Sequence, residues 1–127
     1  MTVEEAVHGI LTANSTVIAL CPSSRILVPG DWQNIQSPYI IHFPASSSQI
    51  HTHGEGLALL RIYDFYQVSI FAASYSGARA LADAVIAALD GYHSGLTALF
   101  GSEFHVQEHE TRTHHLALNF RIAYAPS

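Results

Sequence analysis

A chain of 127 residues fits one domain, 1–127, large enough to build a core without a disulfide or metal staple. Its formal charge is −5 with five Lys plus Arg, which excludes the clustered basic surface of a dedicated nucleic-acid binder. Charged residues make up 12% against a typical ~25%, so either uncharged polar side chains keep the surface wet or partners cover much of it.

The N-terminus reads as a helix. Thr2 and Glu5 have the spacing of a capping box, and Val3, Ala6, Val7, Ile10 and Leu11 form an apolar stripe behind it. Residues 14–16 interrupt that stripe, and 17–20 make another short helical turn that Pro22 ends. Acidic Glu4 and Glu5 stand where a secretory signal would be basic, and no apolar run reaches the ~18–20 residues of a membrane span. Synthesis in the cytosol is the expectation. Cys21 has no second cysteine to pair with and reads as a small buried hydrophobe.

Residues 25–28 read as a short strand stopped by Pro29 and Gly30. Residues 31–37 read as loop, and the lone Trp32 within it either folds back on the core or serves as an exposed binding anchor. A second strand spans 39–43, with Pro38 at its start and Pro44 after its end, both allowed places for proline. Residues 45–56 are irregular and rich in Ser, His and Gly. Within them 49–53 extend the second strand as one arm of a long hairpin, and 57–71 form the other arm, bent or bulged near Tyr63 and Asp64.

Between 65 and 71 the period is two: Phe65, Gln67, Ser69 and Phe71 point one way, and Tyr66, Val68 and Ile70 the other. The period then changes. Ala78, Leu81, Ala82, Val85, Ile86 and Leu89 form one stripe of a helix, capped by Ser74 or Ser76 and closed by Gly91. Arg79 and Asp83 are placed to pair across one turn. Residues 92–101 read as a connector, 103–109 as a strand and 110–113 as a tight polar turn. The strand at 114–124 sets Leu116, Leu118, Phe120, Ile122 and Tyr124 on one face. Leu81, Val85 and Leu89 should bury against Val68, Ile70, Leu118, Phe120 and Ile122. The fold class is α+β: a mainly antiparallel sheet with an N-terminal helix and one central amphipathic helix on one face, plus the long hairpin.

Nine histidines raise the question of metal. His51 and His53 share a strand face if 49–53 is extended, and Glu55 follows two residues on. The His-x-His opening of cupin barrels is a poor match, because the carboxylate comes too soon and the second half of that pattern is missing. His105, His109, His114 and His115 fall in another hairpin. Polar surface histidines are the preferred reading of all of these. There is no nucleophile elbow, phosphate-cradling glycine loop or His-Glu-x-x-His, and Asp83 and Asp90 read as solvated helix surface. No catalytic or cofactor-binding residue is assigned.

The order and spacing of PYIIHF at 38–43, YQVSIFA at 66–72 and SGARALADAVIAALDG at 76–91 resemble the tail-completion family of long-tailed bacteriophages, also called tail-to-head joining proteins. The resemblance extends to the first helix and the closing strand, and so to essentially the whole chain. It implies a tail-terminator-like subunit of the virion tail or neck, in a phage, prophage or gene-transfer particle. Such subunits form a homo-oligomeric ring, here expected to be a hexamer, at the head-proximal end of the tail. The expected partners are the tail tube protein and the head-tail connector protein, with no cofactor, no catalysis, no nucleic-acid sequence recognition and no membrane. The hairpin at 46–56 is longer than usual for such proteins. It is expected either to stay a solvated loop with no partner or to order on a neighbour or the tube, with Ile50, His51 and His53 as contacts and Trp32 as a further interface candidate. The competing readings are a small His-rich metal-binding protein or metal-dependent enzyme using His51, His53 and Glu55, and a dimeric α+β ligand-binding domain.

Overall fold

A computed structural model describes residues 2–29, 38–51, 59–93, 96–108 and 113–124; for 46–51, 59–61 and 106–108 the description is of the backbone. Helix α1 is Val3–Ala13 and α2 is Ser15–Leu20. The capping box is formed: the Thr2 side chain accepts from the Glu5 amide, and the Glu5 carboxylate takes the Thr2 amide. Asn14 ends α1, and its side chain accepts from the Thr16 and Val17 amides to start α2. A 3₁₀ turn, Ser23–Arg25, leads into β1, Ile26–Leu27.

Strand β2 is Tyr39–His51, β3 is Leu59–Ala72, β4 is Leu96–Glu108 and β5 is Thr113–Tyr124, with α3 (Tyr75–Leu89) between β3 and β4. The sheet order is β1-β2-β3-β5-β4, antiparallel except for the β1–β2 pair. Ser74 caps α3 by accepting from the Gly77 amide. Gly91 follows the helix at φ +80°, where an L side chain is strained.

Two boundaries differ from the sequence reading. Strand β2 runs through Pro44, because β1 pairs only with Ile40 and Ile41 and the rest of β2 is a sheet edge that needs no proline donor. Strand β4 begins at Leu96, inside the supposed connector. Its apolar alternation is hidden because it changes phase at Gly101. Leu96, Ala98 and Phe100 face the helices before that point, whereas polar Glu103 and His105 do so after it.

The phase change belongs to a line of irregularities across the sheet. Pro44, Tyr66, Phe120 and Phe100 lie in one row of partners. Beside this row Asp64 and Phe65 together oppose Arg121, and Gly101 is the extra residue between Phe100 and Ser102. The pair Asp64 and Phe65 lets both Tyr63 and Tyr66 reach the core despite their odd spacing. A Cβ on Gly101 would stand 3.2 Å from the Asn119 carbonyl oxygen.

The core lies between the helices and one face of this sheet. Val3, Val7 and Leu11 of α1, Leu81, Val85 and Leu89 of α3, and Val68, Ile70, Leu118, Phe120 and Ile122 are all within it, as the periodicities require. Cys21 is buried there too, and burial pushes its thiol up to about 11, so it is inert at neutral pH.

Candidate assembly surface

All three helices pack on one face, so among the described residues the other face of the sheet has no layer over it. Strand alternation places Tyr39, Ile41 and Phe43 of β2, Phe71 of β3, Ala117 of β5 and Phe104 of β4 on it. Ala117 is buried yet lies outside the core cluster, as expected for the middle of a second apolar surface. Tyr39 stacks on Phe71 at 4.6 Å, and Phe71 on His115 at 4.3 Å, an aromatic ladder across three strands. Phe104 is 61% exposed, and Leu99 and Phe65 are each 52% exposed. Between Phe104 and the pair Leu99 and Phe65 the same face carries the polar row Gln67, Asn119 and Ser102. Arg121 and Asp64, 3.8 Å apart, supply its charge at one end.

A second apolar patch lies on the helical side. Ile18 and Leu20 of α2 are exposed, and Leu20, Pro38, Ala72 and Leu81 line a cleft of about 260 Å³. The two patches differ in shape and chemistry.

The sheet also has open edges. Beyond Ile41, β2 has no outer neighbour among the described residues; the outer edge of β4 is closed from Thr97 to Phe100 by bonds to residues 90–93 and has no neighbour beyond that among the described residues. Helix α3 braces β4 with polar contacts one turn apart. Arg79 bonds Glu103 and Asp83, and Tyr75 packs edge-on against His105. The Glu103 hydrogen bond is the main cause that raises the Arg79 guanidinium above its already high ordinary value.

One polar pair is sealed in the core. His42 is fully buried, and its Nδ1 lies 2.7 Å from the Tyr66 hydroxyl; its Nε2 has no hydrogen-bond partner among the described residues. Burial, then the neighbouring His8, pushes the His42 imidazole down to about 4, and burial pushes the Tyr66 phenol well up. The pair is a structural bond shielded from solvent, not a titrating site at neutral pH. The parity of His42 with Ile40 signalled its burial, though not its partner.

Of the residues singled out from sequence, Trp32, His53 and Glu55 lie outside the described residues. Ile50 and His51 close β2, opposite Leu60 and Leu59. Among the described residues no group of three or more His, Cys, Asp or Glu is placed to hold a metal, and no helix is long and apolar enough to cross a membrane. Phe104, Leu99 and the aromatic ladder were not singled out, although the alternation of 39–43 and 65–71 carried the signal.

The family model for Tail completion protein gp17 matches residues 5–125. The chain belongs to the tail-completion family. Its members are structural proteins of phage tails. A chain in the solved virion of a native gene transfer agent particle has the same fold, with a TM-score of 0.74 at 19% identity, covering 97% of this chain and 94% of that one. No curated protein matches. The fold and membership expected from the PYIIHF, YQVSIFA and SGARALADAVIAALDG stretches are therefore correct, and a structural tail role follows from them.

Proposed function

We propose that this one-domain subunit assembles as a ring, a hexamer, at the head-proximal end of a long tail. There it completes the tail tube and joins it to the capsid connector, acting by binding alone. The family match over 5–125 carries this reading. The surface supports it. A closed ring uses two different patches per subunit, and the chain offers a sheet face with exposed aromatic side chains and a separate cleft beside Leu20. Open edges at β2 and β4 give further joints by strand addition. Ile50, His51, His53 and Trp32 are proposed contacts within that assembly.

The test is removal of the gene from a producing strain. Electron microscopy should then show filled heads and free tails that fail to join, and the intact gene restores particles. Native mass spectrometry of the protein released from particles should find six copies together. Normal joined particles without the protein would overturn the reading.

A further inference from the structure

Tyr75 of α3, His105 of β4 and His114 of β5 meet at the end of the sheet where α3 begins. The register explains the meeting. His105 opposes Leu116 and Gln107 opposes His114, so the two histidines are diagonal neighbours on the helix side of the β4–β5 ladder. His105 Nε2 and His114 Nδ1 are 3.2 Å apart, and the rings are 7° from parallel. The edge of Tyr75 packs against both, with centroids at 4.8 and 6.1 Å. His105 is open to solvent and His114 half-buried.

We propose that His105 Nε2 and His114 Nδ1 form a chelating pair for a divalent transition metal, zinc in particular. Zinc holds imidazole nitrogens at about 2.0–2.1 Å in a tetrahedron, which sets two of them about 3.3 Å apart. The observed 3.2 Å separation already matches that spacing; the two nitrogens point at each other, with centroids 5.5 Å apart, so each ring turns by roughly 35° to aim its lone pair at a shared ion. In the absence of metal one of the two nitrogens donates its N–H to the other, so on zinc binding the donor ring takes its other tautomer, with the proton on its far nitrogen, and both facing nitrogens are free as ligands. Imidazole is a borderline donor that suits zinc over calcium or magnesium, which want oxygen. No third protein ligand stands by among the described residues, so two coordination positions stay open to water or to a carboxylate of a neighbouring chain. The metal would tie the edge strand β4 to β5. Zinc binding requires neither ring nor particle, so the inference stands or falls apart from the tail-completion reading.

The experiment is calorimetric titration of zinc chloride into the full, tag-free chain after chelator treatment. One zinc per chain is expected. His105→Ala and His114→Ala should each weaken it more than ~10-fold, since even outer partners of a zinc ligand are worth ~10–100-fold. His93→Ala should bind as the parent does. Circular dichroism checks that each variant is folded. Nitrogen NMR of the histidine rings should show Nε2 of His105 and Nδ1 of His114 shifting on zinc addition. A parent chain that takes up no stoichiometric zinc, or two variants that bind as tightly as the parent, would overturn the proposal.

Discussion

The two faces of the sheet are built from the same strands and have opposite fates. On the helix side Tyr66, Val68, Ile70, Leu116, Leu118, Phe120 and Ile122 are sealed by α1 and α3. On the other side Phe104, Leu99 and Phe65 stand in water, beside an aromatic ladder that no element of the described chain covers. A self-sufficient sheet of this kind alternates apolar and polar residues, with the polar face solvated. Here the second face sets exposed Phe104, Leu99 and Phe65 and the aromatic ladder among polar Gln67, Ser69, Ser102 and Asn119, and we propose that it is the face left for assembly.

The largest effects should come from the sealed face. Phe120→Ala removes a fully buried ring and should cost about 3–5 kcal/mol, read as a fall in denaturant midpoint. An unchanged midpoint would break the packing account.

Acid should act through the same face. In the unfolded chain an imidazole gains its proton near pH 6.5, whereas folded His42 stays neutral until about pH 4. Between these values the unfolded state binds more protons, so stability falls as pH drops. The total is about 3 kcal/mol, at roughly 1.4 kcal/mol per pH unit. Denaturant melts at pH 7 and 4.5 measure most of it, and His42→Phe should remove this part of the acid dependence.

The bulge row between the two halves of the sheet should be less sensitive. Gly101→Ala presses a methyl group on the Asn119 carbonyl oxygen, a backbone atom held by the β4–β5 ladder, and should cost about 1 kcal/mol in the same melts. The open face should matter least to folding. Phe104→Ser should move the melting free energy by under about 0.5 kcal/mol, as surface changes do, while particle yield collapses. A large loss of stability from Phe104→Ser would mean that this face is part of the fold's own core.

The sealed face was readable because burial writes period into sequence. The 3.6 period of 78–89 and the period of two at 65–71 and 114–124 located α3, β3 and β5, and the capping residues Thr2 and Ser74 marked helix starts within a residue. Strand β4 was readable only in part. Its helix-facing half after Gly101 is Glu103 and His105, held by Arg79 and Tyr75, and a long-range polar pairing leaves no periodic trace. The His42–Tyr66 bond and the His105–His114 pair were hidden for the same reason, since each depends on register between strands far apart in the chain. The open face was written in Tyr39, Ile41, Phe43 and Phe71, but alternation alone does not say which face a helix will cover.

The central claim is that the uncovered sheet face is the one that meets other subunits. A photo-crosslinking residue placed at position 104, on that face, and separately at Asp83, on the exposed side of α3, compares the two surfaces inside assembled particles. The account predicts efficient crosslinks from position 104 to a second copy or to a neighbouring tail protein, and few from position 83. Crosslinks from position 83 with none from position 104, in particles that are fully joined, would contradict it.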